Sequence, residues 1–371
     1  TTEIYTLSLH DALPIYGLML PLLNVLTAFA AIAIVFVFIN VDPIEAAKIV
    51  IHGTLGYEEG VGYTLYYATN FVFTGLAVAV AFHAGLFNIG GEGQAYVGGL
   101  GVALAVLAFD PSISPWVVIP ASIMGSLLFG ALWAIVPGYL QAYRGSHIVI
   151  TTIMFNFLAS ALMVYMCVHV LREVGQMNPQ SKMFPESAWL PFIHDVFAGI
   201  GYKIAPSPLN LSIVLALLFS LLVWIFLWHT RWGYAIRATG KNTTAAVYGG
   251  IKPKKVIVIT MCISGALAGL VAVNELLGYQ HRLMLDFQYG YGFGGIAVAL
   301  MGRNHPVGIL VAALLFGILY QGGMELAFEL PNVSRHIVVV MQGLVILFCG
   351  ALEYFYKPWL VRFLAPIEAS E

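Results

Sequence analysis

Eight apolar runs occupy nearly half of the 371-residue chain, at 17–39, 64–83, 116–140, 148–170, 209–229, 256–277, 306–323 and 336–355. Each is close to, or longer than, the roughly 20 helical residues that cross about 30 Å of hydrocarbon. Backbone immersed in lipid must satisfy its own hydrogen bonds, so runs of this kind fold as membrane helices. Two weaker runs, 93–108 and 290–302, are short and rich in glycine. Composition agrees, with 60% hydrophobic and 9% charged residues and a mean hydropathy of +0.89, against roughly 25% charged in an ordinary soluble domain. A soluble globule is thereby excluded.

The charges orient these runs. Residues 231–255, RWGYAIRATGKNTTAAVYGGIKPKK, hold six of the sixteen Lys and Arg residues, and basic loops of this kind stay on the cytoplasmic side. Counting both weak runs gives ten crossings and puts both termini on that side. Arg144, Arg303, Lys357 and Arg362 then join the basic loop. Segment 171–208 lies outside, where Glu173, Glu186 and Asp195 offset Arg172, Lys182 and Lys203. Losing one weak span would place the basic loop or the basic C-terminus outside. The hexapeptides LLFGAL at 127–132 and LLFGIL at 314–319 sit half a chain apart on helices of opposite direction in this scheme. The pattern is either chance similarity or the trace of two inverted five-helix repeats, an arrangement that recurs in transporters with broken helices beside the solute path. The expected fold is an all-α polytopic membrane protein of about ten helices in two inverted five-helix repeats, some short or re-entrant.

Residues 1–15, TTEIYTLSLHDALPI, stand apart, because one reading frame of a common sequencing-library adapter encodes them residue for residue. They are expected to be a cloning or assembly artefact, with the natural N-terminus missing, and are set aside from fold reasoning. Residues 16–371 are expected to form a single transmembrane domain.

Polar groups within the membrane mark function or helix pairing, because each costs free energy unless paired or hydrated. GLFNIGGEGQAYVGGLG at 85–101 concentrates Asn88, Glu92 and Gln94 among glycines. It reads either as a re-entrant turn capped by its own side chains, with Glu92 satisfying free helix-start donors, or as solute contact. In the second half, YGYGFGGIAVALMGRNHPVG at 289–308 repeats the glycine-rich approach to a short span. Its Tyr289, Tyr291 and Phe293 serve a ring-bearing ligand or the interfacial aromatic belt. Asn156, in mid-run, and Asn274 beside Glu275 are interhelical hydrogen-bonders or path residues. The candidate translocation residues are therefore Asn88, Glu92, Gln94, Asn156, Asn274 and Phe293.

Other chemistry is lacking. Cys167, Cys262 and Cys349 each lie in an apolar run without metal-ligand spacing, and the ten histidines are scattered. His83 is expected to make a helix-to-helix hydrogen bond. There is no HExxH, GxSxG or GxxxxGK[ST] motif, so no catalytic or metal residues are assigned and any ATP hydrolysis belongs to another chain. No basic aromatic face suggests nucleic acid.

Within the basic loop, TAAVYGGI at 244–251 resembles the coupling motif of ABC importer permeases: Glu-Ala-Ala, three residues, then Gly. Ala245, Ala246 and Gly250 match, and Thr244 replaces the acidic residue. GLFNIGGEGQ, SHIVITTIMFNFLA, NPQSKMFPESAWLP, IRATGKNTTAAVYGGI and YGFGGIAVALMGRNHPVG follow in the order found in the branched-chain-type permeases of bacterial ABC importers, and look most like the simple-sugar and nucleoside subgroup. The resemblance runs from about Gly17 to the C-terminus. It implies a multi-pass permease of the bacterial inner membrane that moves a nucleoside or simple sugar by alternating access. It implies ATPase subunits, carrying ATP and Mg, docked on Thr244, Ala245, Ala246, Gly249 and Gly250, with no cofactor on this chain. A second permease, paralogue or identical copy, and a periplasmic or lipoprotein binding protein facing 171–208 and 40–63 complete the implied assembly. An ion-coupled secondary transporter of a small polar solute is the alternative, with Glu275 as its main candidate ionisable group.

Overall fold

The computed structural model describes residue 23, residues 26–333 and residues 335–351. Thr1 to Ile15, Lys357 and Arg362 lie outside the described residues. Among those described, the ordered elements are helices, with isolated bridges at Arg172–Ser181, Gln180–Met284 and Phe192–Asn210. The chain divides into two compact units, Thr1–Ile51 with Gly322–Glu371, and His52–Gln321.

α1 (Leu26–Phe38), in the first unit, meets α2 (Pro43–Leu55), which continues past Ile51 into the second, at 119°. The bend falls at Asn40, whose φ of 57° is left-handed. Asp42 then restarts the helix, its Oδ1 accepting the Ile44 amide at 2.9 Å, as a short acidic side chain at a helix start should. The expected loop 40–63 therefore contains a helix. The chain of the first unit also includes α14 (Arg335–Ala351).

The second unit holds α3 (Glu58–His83), α4 (Gly91–Ala108), α5 (Pro115–Arg144), α6 (Ile148–Tyr165, continued by a π turn to Val170) and α7 (Ile193–Gly199). After these come α8 (Ser212–His229), α9 (Arg231–Lys241), α10 (Thr243–Tyr248), α11 (Pro253–Gly269), a π-helical segment Val273–Gln280 and α12 (Tyr291–Met301). α13 (Pro306–Glu329) crosses the boundary between units. Among the described residues six helices are long and apolar enough to cross a membrane, or seven if the bent α1–α2 pair is one span. They fall on the expected runs, but most extend beyond them, because helix ends carry polar residues that a hydropathy reading trims. α12, at 11 residues, is only about 17 Å long and too short to cross alone.

Burial separates inner from outer helices. The most apolar stretch of α3 is 83% buried and that of α11 with its π extension 67%, whereas those of α5, α6 and α8 are 28%, 22% and 28%. The outer three expose Leu128, Leu132, Phe157, Leu158 and Leu221, a face suited to lipid. Lipid gives no hydrophobic drive for helices to associate, so small residues and interhelical hydrogen bonds must hold them together. Thus a Cβ on Gly98 of α4 would lie 2.6 Å from Gly269 Cα, and Ser126 Oγ of α5 donates to the Gly269 carbonyl.

The two ends of α3 gather different loops. At its C-terminal end His83 Nε2 meets the Asn304 carbonyl at 3.0 Å, so the expected bond is made to the turn between α12 and α13 and not to a helix. Trp228 packs on His83 and His305, and Arg237 lies over the Trp228 ring. At its N-terminal end Glu58 accepts the Ala205 amide at 2.9 Å. There the chain zips onto the loop after the π segment, with amides of Ser181, Phe184 and Leu190 donating to carbonyls of Leu283, His281 and Leu277. Loops 171–208 and 231–255 thus occupy opposite ends of α3.

His281 closes this zipper by stacking on Trp189, ring centroids 3.9 Å apart. Burial pushes its pKa below the ordinary value, and its Nδ1 is buried with no partner. The opened loop therefore takes up a proton at a higher pH than the packed loop, and the packed form loses stability as pH falls below about 6.5. Amide exchange at Ser181 and Phe184, corrected for intrinsic rate, is expected to quicken between pH 7 and pH 5 in the native chain and not in His281→Phe.

Candidate functional site

The basic segment folds as two short helices, each started by a side-chain cap. Thr230 Oγ1 accepts the Gly233 amide at 3.1 Å to start α9, and Asn242 Oδ1 accepts the Ala245 amide at 3.0 Å to start α10. α10 closes in a Schellman turn: the amide of Ile251 donates to Ala246 O at 3.0 Å and that of Gly250 to Val247 O at 2.9 Å. Gly250, at φ 78°, supplies the left-handed residue that this turn requires. Ala246 faces inward and is 4% exposed, while Thr244, Ala245, Gly249 and Gly250 face out. Tyr248, 90% exposed, stands on the same surface beside an open groove of about 390 Å³ lined by Tyr234, Arg237, Lys241 and Ala245. A capped helix with small and aromatic residues turned outward is built to receive another protein surface.

This surface is tied rigidly to the bundle. Gly240 of α9 lies against the turn after α3, where a Cβ would fall on backbone atoms of His83, Ala84 and Gly85. Three residues beyond Gly85, Asn88 Nδ2 donates to Gln94 Oε1 at 2.9 Å and to Ser264 Oγ at 2.8 Å, and its Oδ1 accepts the Gly90 amide at 2.9 Å. Ser264 donates in turn to the Ala77 carbonyl at 2.6 Å, so one buried cluster joins α3, α4 and α11. Asn156 of α6 clamps the same turn, accepting the Gly93 amide at 2.9 Å and donating to Ile89 O at 3.0 Å.

Glu92 joins the starts of two helices. Its carboxylate, in the first turn of α4, accepts the amides of Gly290 at 2.9 Å and Gly292 at 2.8 Å where α12 begins. A side chain on the first turn of α4 thus caps the start of α12, the natural place for an acceptor among unpaired helix-start donors. Phe293, on the first turn of α12, is 46% exposed. Glu92→Gln leaves one acceptor oxygen for two amides and turns an N–H toward the other, and is expected to lower the melting temperature in detergent while leaving helix content unchanged.

A second cluster lies toward the other end of α3. Asn274 uses all its hydrogen-bonding capacity: Nδ2 donates to Tyr66 O at 3.1 Å and Asn70 Oδ1 at 2.9 Å, and Oδ1 accepts from Asn210 at 2.9 Å and Ser212 at 2.6 Å. Asn70 also donates to Glu275 Oε1 at 2.6 Å. The structure therefore brings Asn88 and Gln94 together, adds Asn156 and Glu92 to the same turn, and sets Asn274 in a separate cluster. Sequence reasoning did not single out Asn70, Asn210 or Ser212. Asn70 was detectable as a lone amide within an apolar run, but its partner lies 205 residues away.

Comparison with known proteins is consistent with this geometry. The family described as branched-chain amino acid transport system, permease component, matches residues 60–350. The guanosine ABC transporter permease protein NupP of Bacillus subtilis is 34% identical over 90% of this chain and 93% of its own length. The glucose ABC transporter permease protein TsgB13 of Haloferax volcanii is 32% identical over 91% of this chain and 88% of its own. The nucleoside ABC transporter permease protein NupB of Lactococcus lactis is 31% identical over 95% of both. No solved structure matches. With its membrane-capable helices and its match across most of the chain, this protein belongs to the branched-chain-type ABC transporter permease family and is a transport subunit rather than an enzyme.

Proposed function

We propose that this chain imports a nucleoside or simple sugar across the bacterial inner membrane, by alternating access driven by a separate ATPase. The observation that carries the cargo class is the naming of the relatives, two for nucleosides or guanosine and one for glucose. Glu92 supports an uncharged cargo, because the start of α12, which would attract an anion, already holds a carboxyl group of the chain itself. Family membership argues against the ion-coupled alternative.

In this reading the chain makes ten crossings in two inverted repeats of five helices, with both termini cytoplasmic. Support comes from α4 and α12, short helices that meet at their starts, and from the related hexapeptides on α5 and α13. ATPase subunits carrying ATP and Mg dock on Thr244, Ala245, Ala246, Gly249 and Gly250. Their closure moves α9, and the Gly240–Gly85 contact passes the motion to the turn holding Asn88, Glu92, Gln94 and Asn156. A binding protein delivers solute at the end carrying 171–208, a second permease completes the path, and Asn274 and Phe293 line it. Cells expressing this chain with the neighbouring transporter genes are expected to accumulate labelled guanosine or glucose. Deletion of this chain abolishes the accumulation; unaltered uptake of both in the deletion strain contradicts the assignment.

A further inference from the structure

The charged group most enclosed by the bundle is one to which the proposed mechanism assigns no role. Glu275 is 1% exposed and lies in the π-helical segment Val273–Gln280, a distortion that is often found at functional sites. Among the described residues its partners are uncharged. Asn70 donates to Oε1 at 2.6 Å, Gln280 donates to Oε2 at 3.2 Å, and the hydroxyls of Tyr66 and Tyr291 stand within hydrogen-bond reach. A carboxylate within membrane helices and without a cation is costly, and such groups are kept where solutes or protons pass. Beside it the Gln280 Oε1 is buried with no partner, so the cluster holds a spare acceptor next to an acidic one.

Aromatic rings lead from this pair to the surface. Tyr66 packs on Tyr279 at 5.5 Å, Tyr291 on Tyr320 at 5.7 Å and Tyr289 on Tyr291 at 6.4 Å between centroids. Tyr279 and Tyr289 are 47% and 51% exposed, whereas Tyr66 and Tyr291 are buried. The series runs from accessible rings to enclosed ones and stops at the carboxylate. It lies toward the N-terminal end of α3, the end that packs against 171–208. Rings of this kind offer flat faces to a sugar or a base, and a solute with two adjacent donors meets the spare Gln280 oxygen while replacing a side-chain donor on the neighbouring carboxylate.

We infer that Glu275 and Gln280 with Tyr279 and Tyr289 form the solute-contact site of the permease, taking an uncharged solute that presents neighbouring O–H or N–H donors beside a flat ring face. This rests on the nucleoside-or-sugar reading above and names where that cargo is held. Two sources share the required chemistry: the vicinal hydroxyls of a ribose or hexose, and the adjacent N–H donors of a guanine base. A site that holds solute, as opposed to one that only braces helices, sets apparent affinity and selectivity.

The test uses the full complex with its ATPase and binding protein in proteoliposomes, and labelled guanosine, 2′-deoxyguanosine, inosine and glucose. Glu275→Gln is expected to raise the KM for the transported solute at least tenfold, with the same amount of inserted protein and the same basal ATP hydrolysis. Tyr289→Ala, at an exposed ring, is expected to raise KM severalfold and Tyr289→Phe to restore it. If the carboxylate reads the sugar, Glu275→Gln erases the preference for guanosine over 2′-deoxyguanosine; if it reads the base, it erases the preference over inosine. Should Glu275→Gln fail to insert, Tyr289→Ala alone decides. Wild-type complexes that move none of the four solutes overturn the cargo reading. Wild-type uptake with KM and selectivity unchanged in every inserted variant overturns the site while leaving that reading intact.

Discussion

Gly250→Trp is expected to leave the chain inserted at normal levels and to abolish uptake. A Cβ at this position meets nothing within 4 Å, so a side chain there leaves the backbone into open space. The left-handed backbone, at φ 78°, adds about 1–2 kcal/mol of strain for a residue with a side chain, which a protein of this size tolerates. What the indole blocks is the outward face of α10, where Thr244, Ala245 and Gly249 are also exposed. Gly250→Asn separates the two effects, because asparagine accepts the left-handed conformation and adds little bulk, and most uptake is expected to remain. Quantifying inserted protein and ATP-driven uptake for both variants checks this. Equal loss in both would assign the glycine to backbone conformation instead of docking.

The largest effect on folding is expected from Gly292→Val. A side chain there falls on the backbone of Gly91 and Glu92, forcing α4 and α12 apart. Overpacking of this kind costs about 1–3 kcal/mol. The displaced Glu92 also loses the Gly290 and Gly292 amides, at about 1.5–3 kcal/mol for each charged bond. Together these approach the whole stability of an ordinary domain, about 5–15 kcal/mol. Size-exclusion profiles in detergent are expected to show aggregated Gly292→Val and monodisperse Gly199→Val, since a Cβ at Gly199 meets nothing within 4 Å. A monodisperse Gly292→Val protein with native melting would remove the α4–α12 junction from the mechanism.

The parts of the fold that follow from local chemistry were legible before any coordinates. Apolar runs located α3, α5, α6, α8, α11 and α13, because span length and hydropathy depend only on neighbouring residues. Charge placed 171–208 and 231–255 apart, and they pack at opposite ends of α3. α2 was not legible: Pro43–Leu55 is shorter than a span and reads as a loop when only long runs are sought. At the site, glycine density and the lone Glu92 pointed to a capped turn, and the caps are made, but the donors come from Gly290 and Gly292, about 200 residues on. Asn156 reads from sequence as an interhelical hydrogen-bonder or a path residue, and its hydrogen bonds hold Ile89 and Gly93. Asn274 was noticed, but the network through Asn70 and Asn210 was not, since hydrogen bonds between distant helices leave no local pattern. Gly250 read as a small residue for docking, and its conformation adds a second reason for glycine.

The most direct measurement of the whole scheme is the energy source of transport. Proteoliposomes containing this chain, its partner permease and its ATPase are supplied with the loaded binding protein and labelled guanosine or glucose, with ATP on the ATPase side. Uptake is expected to require ATP hydrolysis, to cease when the phosphate-loop lysine of the ATPase is replaced, and to persist in the presence of a protonophore. Uptake that survives the inactive ATPase and collapses with the protonophore would contradict it.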